Sequence, residues 1–356
     1  MAISIEVIVF LLLVFITTRR YRSHVYFKYL PYLVVFAFMA IRYDYGDDRS
    51  YRAMFSYLHN GINENGIEPL YAWINKCLPN FGSVVVFASL IYVLVFYLVV
   101  SRVLTYKQRG LALLVLTLHP YILFVDMSAI RQSVAIALIV AGVYFANEYN
   151  RGWFIPFCIL AALFHKSAIV LVPIFFLFGK HHFLVKTKLV IVGGTAFFLL
   201  MSDKLFRLLE IVLSVLKLNS ANYLSYLYNG NENSGLAVAL SFIVMAFFML
   251  CGDAVDEKKA IYVKLSILAM VFEALQGRVQ QFGRIDMYFL PFLVLSLPLI
   301  LKNETKTLQV KMLKGSHIFN KYGCWLVEAC FIAVFIWKLF GFMTPQFAYC
   351  SLFTTW

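Results

Sequence analysis

The sequence predicts an all-α, polytopic integral membrane protein with about eleven transmembrane or half-membrane helices. Of its 356 residues, 62% are hydrophobic and 14% are charged, whereas soluble domains are about half apolar and a quarter charged. Long apolar runs recur from residue 3 to residue 340 without a long polar stretch between them. These runs lack the alternation of barrel strands, so helices must cross the bilayer. We therefore expect a single transmembrane domain over residues 1–356.

Each long apolar run predicts one membrane helix, because about 20 apolar residues are needed to cross the hydrocarbon core. Arg19, Arg20 and Arg22 follow the first run, which has no basic leader or cleavage site. This pattern predicts an uncleaved anchor whose N-terminus lies outside. The predicted spans are 3–17, 29–42, 83–101, 110–125, 130–147, 189–202, 236–252, 260–276, 285–301 and 323–343, with a broken pair at 153–179.

The loop charges predict the orientation, since basic loops face the cytoplasm. Arg151 and Lys180 flank the broken pair, and both favour the cytoplasmic side. Residues 153–179 must therefore enter the membrane and return, in arms of about a dozen residues, roughly 18 Å of helix each. His165 lies at the turn between the arms. The predicted cytoplasmic loops are 18–28, 102–109, 180–188 and 302–322.

Two outer loops, 43–82 and 203–235, are predicted to carry short interfacial helices. Polar residues recur at helical spacing in 203–218, which is typical of a helix on the membrane surface. Pro69 favours the start of the other helix, because proline suits the first helical position. The net charge of +13 is spread over loops, and no basic module indicates nucleic-acid binding.

Ionisable residues at the ends of the spans concentrate on the predicted outer side. Such groups are costly at membrane depth, so their clustering indicates a functional site. Several arginines favour an anionic lipid substrate, because a guanidinium binds phosphate oxygens bidentately. Ordinary roles remain open, such as snorkelling of Arg42 or loop capping by the aspartates. The candidate residues are Arg42, Asp47, Asp48, Arg49, Tyr51, Glu68, Arg131, His165, Arg278, Arg284 and Tyr288.

Several chemistries lack their sequence motifs. The chain has no Walker loop, GxGxxG motif or serine elbow, so nucleotide chemistry is not indicated. Its six cysteines form no CxxC pair, and no histidine spacing is typical of a metal site. We expect neither a metal nor a cofactor, so the energy must come from an activated substrate.

An ordered series of motifs begins with Arg42, Gly46, Asp47 or Asp48, and Tyr51. Glu68 before a short helix, AIRQSVAIAL, ALFHKSAIVLVPIF and RIDMYFLP follow in that order. The series resembles the EpsG family of bacterial exopolysaccharide polymerases over about residues 30–295. Because Asp48 directly follows Asp47, which aspartate is functional stays open.

The resemblance implies a Wzy-type polymerase of GT-C-like architecture that makes O-antigen, lipopolysaccharide, capsule or a related polysaccharide. Such a glycosyltransferase joins repeat units carried on undecaprenyl diphosphate at the periplasmic or extracellular face of the bacterial cytoplasmic membrane. Donor and acceptor are both lipid-linked oligosaccharides, and the membrane lipid, a chain-length regulator and a flippase of the pathway are further implied partners. The positions that match the family are Arg42, Asp47, Glu68, Arg131, His165 and Arg284.

Glycosyl transfer of this kind needs a base for the acceptor hydroxyl and cations for the departing diphosphate. His165 is the predicted base, with Asp47 and Glu68 as rivals, because an imidazole exchanges protons near neutral pH. The cations predicted to bind the diphosphate are Arg131, Arg278 and Arg284, and those predicted to hold the acceptor are Arg42 and Arg49.

Two other function classes stay open at this point. A lipid-linked oligosaccharide flippase or transporter would also contain broken helices. A membrane acyltransferase acting on sugars could also use a histidine.

Overall fold

The computed structural model describes residues 5–20, 28–62, 66–179, 181–215, 235–302 and 318–342. These ranges are almost entirely helical and contain no strand, which confirms the predicted fold class. They divide into two compact units. The first unit comprises the described residues of Met1–Leu177 and those from Leu297 onwards, and the second comprises those of Phe178–Ser296. The prediction of a single domain stays a prediction.

The helices follow the apolar runs closely. Pro69 begins its helix as predicted, where its missing N–H costs nothing. The helices in chain order are α1 (Ile5–Arg20), α2 (Leu30–Ala40), α3 (Asp48–His59), α4 (Pro69–Cys77), α5 (Phe81–Val103), α6 (Tyr106–Leu118), α7 (Pro120–Ser128), α8 (Ile130–Glu148), α9 (Phe154–Phe164), α10 (Leu171–Leu177), α11 (Val185–Val215), α12 (Gly235–Cys251), α13 (Ala260–Leu275), α14 (Gln280–Phe289), α15 (Leu293–Leu301) and α16 (Ile318–Phe342).

In the described part of the chain, six helices are long and apolar enough to cross a membrane, or up to seven if the bent pair α6–α7 forms one span. Four further apolar helices have 10–17 residues. The chain is therefore a multi-pass membrane protein, while the count of about eleven helices stays a prediction.

Helix α5 shows how one apolar helix faces both lipid and protein. Leu90, Leu94 and Leu98 recur every fourth residue and are 46–50% exposed. Tyr92 and Phe96 lie on the other side and are fully covered, at 0% and 1% exposure. Because the uncovered stripe is purely apolar, it suits contact with hydrocarbon.

The predicted span 110–125 is bent. Helices α6 and α7 meet at an angle of 53° between His119 and Pro120. The cause is Pro120, which has no N–H to continue the helix and whose ring disfavours helical geometry in the preceding residue.

The predicted reversal within 153–179 is confirmed. His165 has an extended backbone (φ −154°, ψ 110°) between α9 and a 3₁₀ turn over Lys166–Val170. At the far end of this hairpin, the Arg151 guanidinium donates to the Phe175 carbonyl oxygen at 2.9 Å. The Phe154 and Phe175 rings stack there with centroids 4.1 Å apart. The two arms therefore run antiparallel, and His165 lies at their turn.

The structure differs from the prediction at the start of the outer loop 203–235. Residues 203–215 continue α11 without a break, so this part of the predicted interfacial helix is the end of a longer helix. No proline or glycine lies between residues 195 and 215 to end it. Parts of the predicted elements lie outside the described residues: 216–234 of this loop, 303–317 of the loop 302–322, 21–27 of the loop 18–28, 63–65 of the loop 43–82, residue 180 of the loop 180–188, residues 3 and 4 of the first span and residue 343 of the last.

Candidate functional site

Arg42 and Asp48 form a buried ion pair after α2. The Arg42 Nε atom lies 3.7 Å from Asp48 Oδ1, and both side chains are 1% exposed. Arg42 Nη1 also donates to the Met39 carbonyl oxygen at 2.8 Å, and Asp48 Oδ2 accepts from the Tyr45 N–H at 3.1 Å. Burial raises the pKa of Asp48, and the charge of Arg42 opposes that rise. The buried ion pair therefore stabilises the conformation of the turn 42–48.

This turn presses against the junction of α7 and α8 through Gly46. Gly46 has a φ of +55°, and a Cβ atom there would meet Ser128 Oγ at 2.1 Å. The Asp47 N–H donates to the same Oγ atom at 3.2 Å, while the Asp47 side chain is exposed. A glycine is required at position 46 both by the backbone conformation and by the close approach.

Glu68 joins three separate elements of the first unit. Its Oε2 atom lies 2.6 Å from Arg131 Nη1 at the start of α8. Its Oε1 atom lies 3.4 Å from His165 Nδ1 and accepts from the Lys166 N–H at 3.3 Å. Glu68 itself precedes α4 and is 4% exposed. We call Glu68, Arg131 and His165 the Glu68 cluster.

The Glu68 carboxylate stays ionised. Burial would raise its pKa, but the contact with His165 and the charge of Arg131 outweigh burial and lower the pKa from 4.5 to about 2. A carboxylate of such low basicity is a poor proton acceptor at neutral pH. The Glu68 carboxylate can instead orient the imidazole of His165. The Nδ1 atom of this ring faces Glu68, and its Nε2 atom lies on the opposite side of the ring.

Two tyrosine rings support Arg131. Its guanidinium carbon lies 5.6 Å from the Tyr51 ring centroid and 5.7 Å from that of Tyr71, within cation–π range. Tyr71 is 2% exposed and Tyr51 is 8% exposed. Tyr71 is not among the residues predicted from the sequence, although its place three residues after Glu68 was a usable signal.

The remaining candidates lie elsewhere. Arg49 is 84% exposed and lies 2.6 Å from Asp44, so it forms a surface ion pair. Three candidates belong to the second unit: Arg278 is 3.5 Å from Asp203, Arg284 is exposed on α14, and Tyr288 is 1% exposed. In the part of the chain that the structure describes, no group of three His, Cys, Asp or Glu residues could hold a metal ion.

A model of the EpsG family matches residues 25–319. This chain belongs to the EpsG family. The match spans most of the chain, includes the whole Glu68 cluster and confirms the resemblance. Membership in EpsG gives the chain a polymerase-type, glycosyltransferase-like role in exopolysaccharide or O-antigen synthesis. Comparison of this EpsG chain with curated proteins and with solved structures finds no match.

Proposed function

We propose that this EpsG-family chain joins oligosaccharide repeat units carried on undecaprenyl diphosphate, at the outer face of the bacterial cytoplasmic membrane. The donor is a growing glycan on the lipid diphosphate, and the acceptor is a sugar hydroxyl of an incoming lipid-linked unit. The observation that carries this proposal is the position of Glu68 between Arg131, at 2.6 Å, and His165, at 3.4 Å. These contacts support the proposal, because glycosyl transfer from a diphosphate needs a proton acceptor and a cation beside one another.

His165 acts as the general base in this mechanism. Its Nε2 atom takes the proton of the acceptor hydroxyl while the oxygen attacks the anomeric carbon of the donor. The bond between that carbon and the diphosphate breaks, and the diphosphate leaves with the electron pair. Glu68 holds the ring through Nδ1 and stabilises the imidazolium that forms. Asp47 remains a rival base, because its side chain is exposed.

Arg131 stabilises the charge that develops on the leaving diphosphate. Its side chain is 22% exposed, and Glu68 binds one of its nitrogens, so other N–H groups can donate to phosphate oxygens. Arg278 and Arg284 belong to the second unit, and their predicted contact with a diphosphate stays a prediction from the sequence. The buried pair of Arg42 and Asp48 positions the turn 42–48, and no metal takes part in the reaction.

A deletion strain distinguishes the three function classes. Loss of a polymerase leaves single-repeat glycans on the cell surface, loss of a flippase leaves none, and loss of an acyltransferase leaves chains of normal length. We expect single repeats. Complementation with His165→Ala should not restore polymer, while His181→Ala should, because the His181 side chain is 83% exposed and pairs with Glu257 outside the Glu68 cluster. Normal chain lengths in the deletion strain would contradict the proposal.

A further inference from the structure

The second unit contains a cavity of about 390 Å³, within the range of small-ligand sites, ~300–1,000 Å³. Leu199 and Leu200 of α11, Val238 of α12 and Ala274 of α13 form its apolar wall. Arg278, in the turn after α13, adds one cation to the lining. The site is thus apolar along the helices and charged at their end.

Two of the three helices in this wall, α11 and α12, are largely uncovered in the part of the chain that the structure describes. Only 17% of the apolar window in α11 and 28% of that in α12 are buried, against 72% in α8. Leu200 is 76% exposed. Because uncovered apolar helices of a membrane protein face hydrocarbon, a lipid chain can enter this cavity sideways from the bilayer.

Arg278 is available to an anion. Its side chain is 43% exposed, and its ion-pair partner Asp203 is 73% exposed at 3.5 Å. Ion pairs this exposed are weak and exchange readily. Asp203 follows Leu199 by about one helical turn, so the charged pair forms a polar rim beside the apolar wall. A phosphate group bound bidentately by the guanidinium would displace Asp203.

We infer that this cavity binds the head and first isoprene units of a polyprenyl diphosphate, with the diphosphate on Arg278. The inference rests on the proposed function and assigns it a lipid site. A single branched chain suits one apolar cavity of about 390 Å³, whereas a glycerophospholipid brings two chains. A diphosphate also carries more negative charge than a phosphodiester, so it competes better with Asp203.

The test uses the purified full-length protein in nanodiscs and a photoreactive undecaprenyl diphosphate that carries no sugar. Unlabelled undecaprenyl diphosphate should compete for labelling of peptides that contain Leu199 or Val238. Val238→Trp fills the cavity and Arg278→Gln removes the cation, so each should weaken competition at least about tenfold. Ala239→Trp is the matched control, because Ala239 adjoins Val238 in sequence but is exposed, and it should leave competition unchanged.

Two results would overturn the inference. One is equal competition by phosphatidylglycerol, which would make the cavity an ordinary phospholipid site. The other is unchanged competition in both variants when each elutes as wild type does in size-exclusion chromatography. Because the probe carries no sugar, binding is independent of polymerisation. A wild-type protein that binds the probe but extends no glycan therefore contradicts the proposed function and leaves the lipid site intact.

Discussion

Glu68 is 4% exposed, yet its carboxylate remains charged because a cation and an imidazole oppose the effect of burial. Glu68→Gln removes that charge and should lower the free energy of unfolding by about 1–3 kcal/mol. A pKa lowered from 4.5 to about 2 means that this stabilisation is complete above pH 4.5 and is lost as pH falls through about 2. The difference in Tm between wild type and Glu68→Gln should therefore persist from about pH 8 to pH 5.

Thermal unfolding of both proteins in detergent, followed by intrinsic fluorescence across this pH range, measures that difference. A difference that disappears near neutral pH would show that Glu68 takes up a proton there. Glu68 would then replace His165 as the preferred base.

Gly46 and Gly61 provide a matched pair of left-handed glycines. Both have positive φ angles, +55° and +75°, but only at Gly46 would a Cβ atom meet a neighbour, Ser128 Oγ at 2.1 Å. Gly46→Ala should cost about 1–3 kcal/mol more than Gly61→Ala, because it adds overpacking to the same backbone strain. Urea unfolding of the two variants measures this gap. Equal costs would mean that the turn 42–48 does not press on α7 as described.

The sequence alone identified the members of the Glu68 cluster but not their pairing. Glu68 is separated by 63 residues from Arg131 and by 98 from Lys166, next to His165, and such distances leave no local pattern. Arg42 shows a second limit. An arginine near the end of a span often snorkels to water, and only the fold shows that it is buried against Asp48.

At the scale of helices, α8 and α9 determine how Arg131 and His165 face one another. Gly142 of α8 allows this close packing, because a Cβ atom there would meet Phe157 Cβ of α9 at 2.7 Å. Gly142→Ala should push the helices apart and lower kcat of chain extension on the order of tenfold to a hundredfold, since small displacements of catalytic groups are costly.

Gly193→Ala in α11 is the control, because a Cβ atom there meets nothing within 4 Å. It should leave activity unchanged and raise stability by about 0.5–1 kcal/mol through better helix propensity. The measurement is kcat of the purified proteins. An unchanged kcat in Gly142→Ala would show that catalysis does not depend on the close packing of α8 on α9.

The helices themselves were largely predictable, and the exceptions have physical causes. Apolar runs located the helices because lipid requires every backbone group to be satisfied within the helix. The 53° bend at Pro120 was not predicted, although proline favours a break in a helix. Its angle depends on packing. The continuation of α11 to Val215 was missed because a polar, amphipathic end resembles a separate surface helix.

At the scale of the whole molecule, the proposal requires the region around Glu68 to face outside. Cys77 is exposed at the end of α4, so in a protein with no other cysteine it should react with a membrane-impermeant maleimide added to intact spheroplasts. The matched variant lacks Cys77 as well and carries Lys107→Cys, in the predicted cytoplasmic loop 102–109. This cysteine should react with the maleimide only after the spheroplasts are lysed. The labelling of each protein is measured as a mass shift on a gel. The opposite labelling pattern would reverse the predicted topology.

Family membership at this scale came from the order of motifs along the chain, which a sequence shows directly. The sequence does not show which of those motifs come into contact. In the folded structure, the hairpin of α9 and α10 places His165 beside Glu68.

The most direct test of the central claim is chain extension by the purified protein on a synthetic undecaprenyl-diphosphate-linked repeat, with the products separated on a gel. Wild type should produce a ladder of lengths, while His165→Ala should leave single units, and Arg131→Lys should shorten the ladder because bidentate geometry is lost. A full ladder from His165→Ala would contradict the account.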